Sequence, residues 1–297
     1  MSLRVRQRTF PLFERLGFHV TTNHFNQPIP DTRTLKDSLW TKRSELVGIE
    51  MKEEAQLALL DEFAARFKDE YSRFPRDPVA GAAGYYVDNH IFESVDGEIL
   101  YCMVRHLKPR RIVEIGSGFS TMLSAQAILK NQMEDPGYAC ELIAIDPYPN
   151  PMLKAGFPGL SRVIKDEVQD LPLELFTSLG RNDILFIDSS HILRIGSDVQ
   201  YEYLEVVPRL APGVTVHFHD IFLPSEYPRD IIFKGFQFPN EQYLVQAFLA
   251  FNSAFEILWA GSFMHLTQPD ALESAFASYS RATRWPGSLW VRRRTSP

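Results

Sequence analysis

Residues 111–124 read Arg111-Ile112-Val113-Glu114-Ile115-Gly116-Ser117-Gly118-Phe119-Ser120-Thr121-Met122-Leu123-Ser124, and the rest of the chain is organised around them. Ile112, Val113 and Ile115 make the short apolar run of a buried strand. Gly116 and Gly118 break it, and Ser120 or Thr121 is placed to cap a helix carrying Met122, Ala125 and Leu129. A strand, a glycine turn and a helix in that order bring bare backbone and a helix N-terminus against a nucleotide-like ligand, because glycine has no side chain to hold the ligand off.

Downstream, strand and helix signals alternate. Leu142 to Ile145 is an apolar run closed by Asp146-Pro147; Arg162 to Ile164 is followed by Asp166-Glu167; Asp183 to Asp188 is a fourth strand. Ser197 and Gln200 match a capping box ahead of a helix with Val199, Tyr203 and Val206 on one face, which Pro208 stops. Pro212-Gly213 turns the chain into a fifth strand, Val214 to Asp220. A loop rich in proline and aromatics, Ile221 to Pro239, precedes a helix expected to bury Tyr243, Leu244, Ala247, Phe248 and Phe251. Phe255 to Trp259 and Ser288 to Val291 are the sixth and seventh strands, with a helix over about 271–279 between them. The alternation predicts an α/β fold whose largely parallel sheet is covered by helices on both faces.

Upstream the texture differs. Gly17 to Pro30 mixes aromatics with turn residues and has no helical period. Leu57, Leu60, Ala64 and Phe67 recur at helical spacing and predict an amphipathic helix over about 51–70, which Phe74-Pro75-Arg76-Asp77-Pro78 ends. Ala80 to Phe92, with Gly81, Gly84, Tyr85, Tyr86, Asn89, His90 and Phe92, reads as a lid over a ligand or as a loop buried against the main domain. Asp96 is placed to cap a helix on which Ile99, Cys102, Met103 and His106 share a face.

The chain has 297 residues, 45% of them hydrophobic, enough to bury a sizeable core. A net charge of −6 disfavours binding of nucleic acid through a general positive field. Cys102 and Cys140 lack the spacing of a zinc or redox pair and read as buried thiols in a reducing compartment. Arg4, Arg6 and Arg8 are not followed by the apolar run of a signal peptide, and no stretch approaches the roughly 20 apolar residues that cross a bilayer. A cytoplasmic protein without a membrane partner is expected.

The side chains around the glycine turn select among cofactors. A dinucleotide fingerprint wants Gly or Ala at Thr121 and an apolar residue at Glu114, which speaks against a nicotinamide oxidoreductase. An acid two residues before the first glycine resembles motif I of the class I S-adenosylmethionine (SAM)-dependent methyltransferases, acid-x-Gly-x-Gly-x-Gly, with Ser120 in place of the third glycine. This motif, the Asp146 turn, the Asp188 strand end and His219-Asp220 after the fifth strand cover about residues 96–294 in family order. The chain resembles the branch of that family with Glu-Ile-Gly-Ser-Gly-Phe-Ser-Thr at 114–121. The resemblance implies a Rossmann-like seven-stranded methyltransferase sheet whose last strand runs antiparallel. It implies a methyltransferase domain over 96–297, leaving 1–95 as an N-terminal extension of helix and loop. It also implies SAM as cofactor and transfer of its methyl group to a small-molecule acceptor, by preference an oxygen nucleophile. A homo-oligomer is compatible with it.

In an open α/β sheet the ligand sits outside the carboxyl ends of the strands. The resemblance places Glu114, Gly116, Ser117, Gly118, Ser120, Thr121, Asp146, Glu167 and Asp188 around the cofactor. Asp146 would hold the ribose hydroxyls, and Glu167, with Asp166 as the adjacent alternative, would accept from the adenine amino group. Two readings compete for Asp188, His191, His219 and Asp220. Asp188, His219 and Asp220 could bind a divalent metal such as Mg2+ that lowers the acceptor's pKa, as in the metal-dependent sugar and catechol O-methyltransferases; His191 and His219 then stand where acids would be expected. Alternatively His191 or His219 is a general base beside Asp188. His217 is expected only to satisfy a polar group. The aromatic N-terminal arm and the 221–239 loop are the expected walls of an acceptor pocket. A relative with hydroxylase-like or other non-methyl chemistry, or a non-catalytic SAM-binding protein, would share these sequence features.

Overall fold

The Arg111–Ile115 run is a strand, and it lies in the interior of a seven-stranded sheet. In chain order the principal elements are α1 (Leu3–Arg15), α2 (Glu53–Tyr71), α3 (Asp96–Leu107), β1 (Arg111–Ile115), α4 (Phe119–Glu134), β2 (Glu141–Ile145), β3 (Arg162–Ile164), β4 (Ile184–Ile187), β5 (Thr215–Phe218), α5 (Glu241–Leu249), β6 (Phe255–Ala260) and β7 (Leu289–Arg293), with shorter helical turns between them. The computed structural model describes residues 3–79 and 84–295; Ala80–Ala83, including Gly81 of the expected lid, lie outside the described residues.

The strand order is β3-β2-β1-β4-β5-β7-β6. β1 to β5 run parallel, and β7 pairs antiparallel with both β5 and β6. This is the sheet that the resemblance implies. Alternation along each strand divides the core in two. Ile112, Leu142, Ile184, Phe186 and Trp290 face α2, α3 and α4, while Val113, Ile115, Ile143, Leu185, Val216 and Val291 face Tyr203, Val206, Val245 and Leu249. Both faces of β1 and β4 are covered, so these strands read as continuous apolar runs, and each fully buried Ile or Leu contributes about 1.5–3 kcal/mol. Position 114 falls on the α4 face, which places a carboxylate inside the protein.

Several local expectations change. The helix after the glycine turn begins at Phe119, one residue before Ser120 and two before Thr121, the two expected caps. Gly118 is the cap position; the Thr121 hydroxyl accepts its N–H at 3.0 Å, and the Ser120 hydroxyl turns inward to Glu114. Asp96 does not cap α3. Its carboxylate accepts the Gly287 and Ser288 N–H groups at 2.9 and 3.0 Å, and Glu98 takes the Val95 N–H instead. On α5 the buried face is Glu241, Gln242, Val245 and Leu249, with Tyr243 and Phe251 exposed. Hydropathy mis-phases this helix because two polar residues are buried to make specific bonds.

The chain forms two compact units, Met1–Lys42 with Glu226–Phe238, and Arg43–Ser225 with Pro239–Pro297. In the first, Arg229 lies over the Trp40 ring at 4.9 Å and pairs with Asp37, and the Trp40 indole donates to the Tyr227 carbonyl at 3.0 Å. The second holds the whole sheet. Within it, nearly buried Arg105 of α3 bonds Glu70 of α2 and Asn131 and Glu134 of α4, tying the three helices on that face together. Cys102 is buried, Cys140 partly buried, and both are free. Among the described residues no helix is long and apolar enough to cross a membrane.

Candidate functional site

The carboxyl ends of β1, β2 and β4 open into a cleft of about 340 Å³ lined by Gly116, Asp146, Tyr148, Glu167, Val168, Asp188, Arg194 and Asp198, among others. The two turn glycines serve different ends. Gly116 has φ +81°, and a Cβ there would run into the Asp188 carbonyl, so the fold itself demands glycine. Gly118 has extended backbone, and a Cβ on it would meet nothing within 4 Å. Its bareness leaves room beside the turn.

Beneath the turn, Glu114 is 1% exposed. One of its oxygens accepts the Ser120 hydroxyl at 2.5 Å and the other has no partner. Burial pushes the Glu114 carboxyl up to about 8, against the hydrogen bonds of Ser120 and Thr121 and helped by the charges of Asp188 and Asp146. Asp146, at the end of β2, accepts the Ser117 hydroxyl at 2.6 Å and the Tyr148 N–H at 2.7 Å. Carboxylate oxygens offer about four acceptor positions, so capacity remains toward the cleft. Glu167 is exposed on the rim and accepts from Gln169, while Asp166 caps the Glu167 N–H and does not line the cleft.

The ends of β4 and β5 carry the second group. His191 donates from Nδ1 to buried Glu241 at 2.8 Å, and its Nε2 lies 3.3 Å from Asp188 and 3.6 Å from Asp220. Burial alone would strip its proton, but the hydrogen bonds to Asp188 and Glu241 and the charges of Glu241 and Asp220 outweigh it and raise the imidazole well above its usual range. Burial likewise opposes ionisation of Asp188, yet His219 and His191 hold its carboxyl at about 2. His219 is raised: burial works against it, and the charges of Asp188, Asp220 and Asp96 prevail. Its ring packs 4.9 Å from Phe92.

His217 departs from expectation. It satisfies no polar group: both ring nitrogens are buried without a partner, and the ring stacks on Phe186 at 3.9 Å beside Trp290. Burial and the neighbouring His219 charge hold it well below its usual pKa, so it packs as a neutral aromatic.

Three residues here adopt left-handed backbone that side chains rarely take: Val95 (φ 70°), His191 (φ 60°) and Asp220 (φ 55°). Such strain persists only where surrounding structure over-determines it. For His191 the clamp is visible, since its carbonyl accepts the N–H groups of Asn240 and Glu241. From the stretch expected as lid or buried loop, Tyr86 meets Phe119 of the glycine turn edge-on at 5.2 Å, and Tyr85 and Phe92 are buried.

The structure therefore gathers Gly116, Asp146, Glu167 and Asp188 in one cleft, sets Glu114, Ser117, Ser120 and Thr121 in and under the turn, and brings Asp188, His191, His219 and Asp220 together. The residues fit a cationic, ribose-bearing cofactor: an unpaired buried carboxylate oxygen, an open approach over Gly118, and a cleft whose charge is mostly acidic. They do not fit a divalent metal as arranged. Among the described residues no group of three or more His, Cys, Asp or Glu side chains is placed to hold one, and His191 Nε2 occupies the space between Asp188 and Asp220 where a cation would stand. The sequence reading missed Glu241 and Arg194, the one basic side chain among the described residues lining the cleft. The only sequence signal for Glu241 was polarity at the start of a helix; for Arg194 there was none.

Residues 113–221 match a family model described as a methyltransferase domain. An uncharacterised protein of Archaeoglobus fulgidus is 33% identical over 169 residues, 54% of this chain and 74% of that one. Among solved structures, CmcI-N160 in its apo form aligns at 16% identity over 77% of this chain and 84% of that one, with a TM-score of 0.38. A candidate methyltransferase from Thermobifida fusca aligns at 14% identity over 87% and 98%, with a TM-score of 0.37. The matched residues hold the glycine turn and the ends of β1, β2, β4 and β5, so this part of the chain is a methyltransferase domain, carried on the seven-stranded sheet.

Proposed function

We propose that the chain binds SAM in the cleft at the ends of β1, β2 and β4 and transfers its methyl group to an oxygen of a small-molecule acceptor. The observation that carries this is the convergence of Glu114, Asp146 and Asp188 around a glycine turn open on the Gly118 side. Asp146 would take the ribose hydroxyls, Glu167 the adenine amino group, and the free oxygen of Glu114 a positively charged part of the cofactor. When bound, SAM supplies a methyl group already activated by its sulfonium, so positioning is the main task left to the protein.

At the acceptor end we assign His191 and Asp188 positioning roles. An imidazolium whose two nitrogens both face carboxylates has no lone pair with which to take a proton, and a carboxylate held at about 2 is a weak base. Asp220 is the most open carboxylate of the group, with its side chain 38% exposed and no short hydrogen bond. As the oxygen–methyl bond forms and the sulfur–methyl bond breaks, the acceptor's hydroxyl proton passes to Asp220, which His191 orients.

The test is calorimetric titration with SAM and with its demethylated product, using NAD as control, on wild type and Asp146→Ala. Binding of both sulfur compounds, absent for NAD and weakened at least about tenfold in the variant by loss of charge-assisted hydrogen bonds, supports the reading. A well-folded wild type that binds neither sinks it. Acceptor screening by product mass follows, with and without EDTA; the arrangement of His191 predicts turnover that survives the chelator.

A further inference from the structure

At the end of the sheet opposite the glycine turn, the segments leading into β4 and β5 and the last residues of β7 form a second cleft, of about 430 Å³. Lys52, Arg181, Arg292, Arg293 and Arg294 line it, and Glu256 is the one acid among its described lining residues. A protein with a net charge of −6 thus gathers five cations against one carboxylate at a single concave place.

The pairing within the cleft is incomplete. Glu256 is shared, accepting from Lys52 at 2.8 Å and from Arg292 at 2.7 and 2.9 Å. Arg293 is used by the fold, donating to the Pro208 and Leu210 carbonyls. Arg294 has a buried Nε without a partner, and its guanidinium comes no nearer than 3.9 Å to Glu50. Arg181 is exposed and makes no hydrogen bond or ion pair with the described residues. The base of its side chain packs against Gly213, where a Cβ would lie 2.9 Å from the Arg181 Cγ. A buried guanidinium nitrogen left unpaired is costly, and arginine forks match phosphoryl oxygens two at a time.

We propose that this cleft is a second binding site, for a soluble ligand carrying two or more phosphoryl groups in series. Arg181 and Arg294 are its principal donors, with Lys52 and Arg292 turning part of their charge from Glu256 to the ligand. The site lies on the far edge of the sheet from the methyl-transfer cleft and does not depend on the activity proposed there. The concave shape and a volume of about 430 Å³ suit a small molecule.

The experiment is calorimetric titration of the full chain with inorganic pyrophosphate, with orthophosphate in parallel, at low and at physiological salt. Arg181→Gln and Arg294→Gln are the variants, and a sedimentation arm uses vesicles bearing phosphoinositide headgroups. Expected are saturable pyrophosphate binding, tighter than that of orthophosphate and weakened by salt, and at least about a tenfold loss in each variant at unchanged melting temperature. Arg181 is exposed, so its variant stays informative if Arg294→Gln disturbs folding. No saturable heat with pyrophosphate, binding that Arg181→Gln leaves intact, or retention on vesicles without pyrophosphate binding would each overturn the proposal.

Discussion

At the level of single residues, two glycines two positions apart separate what the fold needs from what a ligand needs. Gly116 carries a positive φ and backs onto the Asp188 carbonyl, so Gly116→Ala is expected to destabilise the protein by more than about 3 kcal/mol, through backbone strain and collision together. Gly118 has neither constraint. Gly118→Ala should leave stability within about 0.5 kcal/mol of wild type while weakening SAM binding, because the added methyl enters the approach to the turn. Chemical denaturation and calorimetry on the pair check this; a Gly118→Ala protein that binds SAM as wild type would remove the ligand reading of that residue. Both glycines stand out in the sequence, but only the backbone angles and the neighbouring carbonyl tell them apart.

At the level of elements, the loop after β4 and the start of α5 act as one clamp. Glu241 accepts from His191 and, through its other oxygen, from the Tyr203 hydroxyl at 2.6 Å, joining β4's loop, α5 and the turn before β5. His191 has a folded pKa above its unfolded value near 6.5, so its contribution is fully present below that value and is lost as pH rises through the raised one. Asp188 works in the opposite sense: its contribution is present above the unfolded value near 3.8 and is lost as pH falls through about 2. Glu241→Gln is therefore expected to cost about 2–4 kcal/mol near pH 6, with the difference from wild type shrinking as the buffer becomes alkaline. Urea unfolding at several pH values measures it, and a difference independent of pH would refute the charged clamp. Hydropathy missed this clamp because Glu241 and Gln242 occupy helix positions that the apolar pattern assigns to solvent.

For the whole molecule, every residue lining the proposed SAM cleft belongs to the unit formed by Arg43–Ser225 and Pro239–Pro297. That unit contains the entire sheet and both faces of its core. A chain lacking residues 1–42 is accordingly expected to fold and to bind SAM with wild-type affinity, as read by melting curves and calorimetry. Loss of binding in a chain that still melts cooperatively would show that residues 1–42 contribute to the site.

The sequence by itself determined the sheet. Apolar runs of four to six residues, glycine and proline punctuation, and acids at strand ends are local signals, and the seven strands fall where those signals place them. It also named the candidate site residues, because in a parallel sheet the chain order of strand ends maps onto one edge. Tertiary structure alone decided how those residues behave. Whether Asp96 caps its helix or holds the Gly287 and Ser288 amides, and whether His217 bonds or stacks, depends on partners far away in sequence. So does the protonation of His191, whose ring nitrogens are claimed by carboxylates from three segments. Electrostatic roles are set by what surrounds a group in three dimensions, and spacing along the chain does not carry that information.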